Sequence, residues 1–298
     1  MDDHLGLDGY DFATSIPSPD WLERFTPLLP ILRESSIPVL VWGGDALCIE
    51  EALAGSNKIL QIVVPEASQL PVAAALLTKD YDILHDPARS ERKPCIVIWK
   101  EVFMVHQGCN FAFPAETTTV LKERADSSAP PYTRSQYIFI HASSVVHIDM
   151  SSDESRTCTL TALPPDDFRR KLKFPTLPAL YDSLIDTRFE PPRSFRHHSL
   201  DRELTDILYD IHTRHYEDSE SDEAESKENG TSDDNGVQKN PLVDSKNGTL
   251  LPHYASILRS VKEENRPYLN RLFRTIGLWS PSWDDVAQER MQLKIARL

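Results

Sequence analysis

The chain has 298 residues, 40% of them hydrophobic, which is enough to bury a sizeable core in one large domain or two smaller ones and excludes disorder throughout. Its formal net charge of −14 is unevenly spread, because residues 217–235 hold nine acids against the single base Lys227; the remainder is an ordinary acidic protein. It shows no basic stripe interleaved with aromatics of the kind a nucleic-acid surface needs, and no apolar run near the roughly 20 residues that cross a bilayer.

The opening MDDHLGLDGYDF has neither the basic and apolar regions of a secretory signal nor the Arg-rich character of a transit peptide. A soluble protein of the cytoplasm is expected, with the nucleus left open. Cys48, Cys95, Cys109 and Cys158 are widely spaced, and three lie in or beside apolar runs, so reduced thiols acting as small hydrophobes are expected. His106 and Cys109 have a spacing that metal sites use, yet no second ligand pair accompanies them.

Residues 1–19 read as a flexible start containing Pro17 and Pro19. Asp20 can cap a helix through Trp21, Leu22, Phe25, Leu28, Leu29 and Leu32, which Pro27 and Pro30 should break or shorten. Pro38-Val39-Leu40-Val41-Trp42 is a buried-strand pattern stopped by Gly43-Gly44, after which Asp45 can cap a helix over residues 46–53 that Gly55 closes. Residues 59–64 (ILQIVV) form a second strand pattern and 70–77 a good helix. Further strand patterns fall at 95–99, 102–106, 137–141 and 145–150, giving an α/β domain over residues 20–163 built on a small mixed sheet of five or more strands with flanking helices.

From Pro164 the pattern turns helical up to residue 216, with Asp166 or Asp167 as a cap and helices expected at 177–185 and 200–216. Residues 217–248 are Ser, Asp, Glu, Asn and Gly with hardly a large apolar side chain, a composition expected to stay disordered. Ser219 and Ser221 stand among carboxylates there, a setting for acidophilic kinases, although a passive spacer is the favoured reading of the segment. Three more helices, at 254–261, 268–276 and 284–295, make up a C-terminal part spanning 249–298.

The stretch IPVLVWGGDALCIEEALAGSNKILQIVVPEASQLPVAAALLTKDYDILHD, residues 37–86, runs strand, Gly-Gly, helix, polar turn, second strand ending Val-Val-Pro, and an Ala-rich helix. It resembles the minimal nucleotidyltransferase family, which includes aminoglycoside- and lincosamide-modifying enzymes. The resemblance implies a small mixed sheet in which Gly43 and Gly44 face the nucleotide phosphates, with an Asp-x-Asp pair before the Val-Val run and a further acid on a later strand. Sliding that pattern onto this chain puts Ile59 and Gln61 where the two carboxylates belong. A hydrocarbon and a neutral amide cannot hold Mg²⁺ against a triphosphate. Asp149, alternating with apolar neighbours in Val145-Val146-His147-Ile148-Asp149-Met150, is expected to mark the third position.

The resemblance therefore implies a catalytically degenerate shell kept for binding or scaffolding, which leans against an enzyme. One alternative is an active transferase with a rearranged acid set, Asp45 and Asp149 with Asp82 or Glu66, which alone would call for Mg²⁺; otherwise no cofactor is expected. A second alternative is an interaction module using the acidic segment and the C-terminal helices. The partners expected are a protein or a nucleotide, with nucleic acid and membrane excluded.

Each of these residues also has a plainer reading. Gly43-Gly44 serves equally as a strand-to-helix turn, Asp45 as a helix cap, and Trp42 and Trp99 as core. His141, His147 and Asp149 could assemble acid/base or metal chemistry, or could lie on the solvated face of an edge strand. His197 and His198 lead into a helix cap at Ser199 or Asp201. The Gly-x-Ser-x-Gly elbow, the phosphate loop ending in Gly-Lys-Ser/Thr and the dinucleotide fingerprint are all absent from the sequence.

Overall fold

A computed structural model describes residues 19–47, 59–85, 117–124, 135–150, 156–190, 240, 242–244, 247–274 and 283–296. The chain divides into two compact units, Met1–Glu203 and Leu204–Leu298. No helix among the described residues is long and apolar enough to cross a membrane.

The first unit is a mixed α/β structure. Its described strands are β1 (Val39–Trp42), β2 (Ile59–Val64), β3 (Tyr81–His85), β4 (Thr118–Glu123), β5 (Tyr137–Ala142), β6 (Thr157–Thr159) and β7 (Leu172–Pro175). They form one sheet in the order β3-β4-β5-β2-β1-β7-β6. The pairs β1/β7 and β2/β5 are parallel, while β1/β2, β3/β4, β4/β5 and β6/β7 are antiparallel. Every residue of β1, β2 and β5 is buried, which explains why these strands read as mostly apolar, without polar alternation: helices cover both faces of the sheet centre.

Alternation along the strands assigns those faces. Trp42 pairs with Gln61 and Thr118 with His141, while Gln61 pairs with Phe139, two residues before His141. Trp42, Gln61, Thr118 and His141 therefore share one face. Against it lies α4 (Leu177–Phe189), whose Ser183 Oγ accepts from Trp42 Nε1 at 2.8 Å. The opposite face carries Phe174, which stacks with Trp21 and Phe25 at ring-centroid distances of 5.4 and 5.7 Å. This face is covered by α1 (Pro19–Glu23), α2 (Leu29–Glu34) and α3 (Leu70–Leu77). Pro27 and Pro30 split the first helical region into α1, a 3-10 turn at Thr26–Leu28 and α2, since a proline nitrogen cannot donate and is tolerated only in a first turn.

Several expectations are corrected. Residues 145–150 are not a strand: Ser143–Val145 is a 3-10 turn, His147 takes φ 52°, and Asp149 lies in the loop beyond. The alternation there was misleading because Val145 and Val146 are adjacent and both buried. The sheet also continues past Pro164. Asp167 caps only a 3-10 turn at Phe168–Lys171, and the chain then extends as β7 between β1 and β6.

The second unit holds helices α5 (Pro252–Ser260), α6 (Arg266–Arg274) and α7 (Trp283–Ile295). Tyr254 and Phe273 join α5 to α6 at 5.5 Å between rings, and Arg290 Nε donates to Asn265 Oδ1 at 3.0 Å. Structure begins before residue 248, where the sequence suggested disorder. Leu242 is fully buried, Val243 bridges Leu250, and Asn240 Nδ2 donates to the Phe273 carbonyl at 2.9 Å. An apolar pair and one capping amide anchor this end of the acidic segment. The expected elements at 95–106 and 200–216, and Cys48, Cys95, Trp99, His106, Cys109, His197, His198, Ser219 and Ser221, lie outside the described residues.

Candidate functional site

The centre of the site is the end of β1, where the chain leaves the sheet through a 3-10 turn at Gly43–Leu47. Gly43 has φ +70°, in the left-handed region that glycine alone enters without cost. A Cβ at Gly43 would stand 2.9 Å from Gln61 Nε2 and 3.3 Å from its Cδ. The glycine therefore admits a close approach, and what approaches is the protein's own Gln61 side chain.

Gln61 is 5% exposed and is held by a neighbour from another strand. Its Oε1 lies 3.3 Å from His141 Nε2, and His141 Nδ1 lies 3.0 Å from Thr118 Oγ1. Since an amide oxygen only accepts, this arrangement places the imidazole proton on Nε2 and lets Nδ1 accept from the Thr118 hydroxyl. His141 is fully buried, and that burial lowers its pKa to about 3. It is a neutral, single-tautomer spacer between an amide and a hydroxyl, with the Trp42 ring packed edge-on at 5.9 Å. This overturns the reading of His141 as a residue on a solvated edge: β5 sits inside the sheet between β4 and β2.

On the other side of Gly43 the chemistry is charged. Asp45, 5% exposed, accepts from Arg24 Nε at 2.8 Å and forms an ion pair with Arg24 Nη2 at 2.5 Å. Burial raises the pKa of Asp45 above the usual carboxylate range, and the adjacent guanidinium opposes that rise. Its carboxylate thus ties the turn after β1 to the turn that follows α1. The helix expected at 46–53 is described only to Leu47, within the 3-10 turn.

The remaining predicted residues stand apart from this centre. Gly44 follows Gly43 in the turn and is half-buried. Ile59 opens β2 as core. Glu66 forms a capping box with Gln69 after β2, and Asp82, on β3, pairs with Arg124 at 2.8 Å. Asp149 is exposed in its loop, and His147 Nε2 meets the Glu190 carbonyl at 2.8 Å at the end of α4. Among the described residues no group of three or more His, Cys, Asp or Glu side chains is placed to hold a metal ion. The residues at the acid positions do not fit a divalent cation either: Ile59 offers no donor, and the one carbonyl oxygen of Gln61 faces His141.

Sequence reasoning missed Arg24, Thr118 and Ser183. The β-branched run Thr117-Thr118-Thr119-Val120 was a usable signal for β4, but nothing local marks partners 21, 23 or 141 residues apart. Cys158, half-buried on the edge strand β6, is a free thiol whose pKa burial pushes up to about 12, so it stays protonated and unreactive at neutral pH. A separate open groove between α1–α2 and the turn at 164–169 is lined by Leu29, Arg33, Asp167, Phe168 and Arg169. Arg33 and Lys171 stack on the Phe168 ring at 5.1 and 5.0 Å, and the hydrogen-bonded Arg169 guanidinium holds Asp167 below the usual carboxylate range.

No family model and no curated protein matches this chain. Among solved structures, the crystal structure of JHP933 from Helicobacter pylori aligns over 95% of this chain and 100% of that one, at 11% identity and a TM-score of 0.31. A likeness of that size carries no conclusion about fold or function.

Proposed function

We propose that the first unit is a nucleotidyltransferase-like shell that has lost catalysis and serves a binding or scaffolding role. The observation that carries the reading is Gln61. It stands where the family pattern has a carboxylate, and its amide is committed to His141 and packed against Gly43, where a phosphate would need to approach. A neutral hydrogen-bonded network replaces the anionic oxygens that two-metal phosphoryl transfer requires. The antiparallel β1/β2 pair within a mixed sheet also suits that family better than a doubly wound parallel sheet would.

An active enzyme with rearranged acids has less support, because Asp45 is engaged with Arg24, Asp82 with Arg124 and Glu66 with its own cap. The test is thermal unfolding of the full chain with ATP, GTP, CTP or UTP, each with and without Mg²⁺, since a ligand of the native state raises the melting temperature. No Mg²⁺-dependent rise is expected with any nucleotide. Such a rise would overturn the reading and turn attention to Asp45 and Asp149 by substitution.

A further inference from the structure

An exposed turn of the second unit contains an Asn-Gly-Thr sequence, Asn247-Gly248-Thr249, with all three residues exposed. Asn247 Oδ1 accepts from the Thr249 backbone N–H at 2.9 Å and from Thr249 Oγ1 at 2.5 Å. Two donors on one amide oxygen make its carbon more electrophilic, and they stand where negative charge would develop if that carbon were attacked, as in an oxyanion hole. The next atom group along the chain is the Gly248 nitrogen. Gly248 has φ +68°, carries no side chain, and nothing outside its chain neighbours lies within 4 Å of where a Cβ would be, so the turn around it is open.

We propose that Asn247 is a self-modification site at which the turn promotes its own deamidation. The Gly248 N–H loses its proton to solvent base, and the nitrogen attacks Asn247 Cγ, so that a C–N bond forms and Oδ1 takes the charge between the two Thr249 donors. The Cγ–Nδ2 bond then breaks, Nδ2 leaves as ammonia with a proton from water, and a succinimide closes. Water opens that ring at either carbonyl to give aspartate or isoaspartate. No oxidant or reductant is involved, and water is the one co-reactant.

Gly248 N–H donates to the Asp244 carbonyl at 2.8 Å in the resting turn, so this bond must open before deprotonation. An exposed turn opens at small cost. The product has a structural consequence: isoaspartate adds a carbon to the main chain next to Gly248, whose carbonyl accepts from Arg274 Nη1 at 2.9 Å at the end of α6. The modification therefore loosens the contact between this turn and α6.

The test is incubation of the full chain at neutral and mildly alkaline pH, followed by peptide mapping with fragmentation that separates aspartate from isoaspartate. Conversion at Asn247 is expected to be faster in the native protein than in the same chain held unfolded in urea, where the Thr249 donors disperse. Thr249→Val should slow the native rate on the order of tenfold, less than an enzyme loses with an oxyanion donor because the backbone N–H remains, and should leave the unfolded rate unchanged. A native rate equal to or below the unfolded rate, or a native rate unaffected by Thr249→Val, would overturn the proposal.

Discussion

Two polar clusters meet at Gly43, and they solve burial in opposite ways. On the Gln61 side, three neutral groups from three strands satisfy one another, and the histidine gives up its charge. On the Asp45 side, an acid and a guanidinium enter the interior together. A neutral network forgoes Coulomb energy but avoids the desolvation penalty of ions, whereas a buried pair depends wholly on keeping both partners. The turn after β1 is thus held by a charge on one flank and packed by an amide on the other, so that the side chain against Gly43 is a neutral one.

The sharpest way to break the comparison is Arg24→Ala. It strands the buried Asp45 carboxylate and should cost about 3–5 kcal/mol in urea unfolding, while the paired change Arg24→Met with Asp45→Asn recovers much of it. A loss under about 1 kcal/mol would mean that the pair behaves as a surface ion pair.

His141→Leu is expected to cost less, about 1–3 kcal/mol, because it leaves two neutral groups, the Thr118 hydroxyl and the Gln61 amide, without their His141 partner but strands no charge. It should also remove a pH dependence. The folded pKa of His141, about 3, lies below its ordinary 6.5, so between these values the unfolded chain binds the additional proton. Stability is full above 6.5 and declines as pH falls, by about 1.4 kcal/mol per pH unit, until about 3. Asp45 has the reverse sign: its raised folded pKa adds stability below 3.8 that is lost as pH rises through the folded value. Unfolding curves for the wild type and His141→Leu between pH 7 and 4 separate the two, and parallel slopes would contradict the assignment.

Gly43→Ala should cost roughly 1–2 kcal/mol for the left-handed backbone plus the displacement of Gln61. A double-mutant cycle with Gln61→Ala isolates the second part, and full additivity would show that the side chain does not press on Gly43.

The strands at this centre were legible in the sequence because β1 is an apolar run and β2 and β5 are each apolar or aromatic but for one polar residue, Gln61 and His141, and residues 70–77 match α3 with the same bounds. β7 was not, because Leu172-Lys173-Phe174-Pro175 is only four residues long, ends in proline and follows a cap that usually opens a helix. Gln61 drew attention only as a missing acid. That it closes a network with His141 depends on a parallel β2/β5 pairing across 80 residues, which no local pattern encodes. Asp45 was readable as a cap, yet its side chain answers to Arg24, in the turn just after α1, in a region that the sequence showed only as proline-broken.

The most direct test of a closed, neutral centre is the ¹⁵N spectrum of the His141 imidazole, followed with pH and with each Mg²⁺–nucleotide. The predicted result is a single neutral tautomer protonated on Nε2, unchanged from pH 8 to 5 and unmoved by any Mg²⁺–nucleotide. Titration near 6.5, or a shift on adding Mg²⁺ with a nucleotide, would show an open site at Gln61 and contradict the degenerate shell.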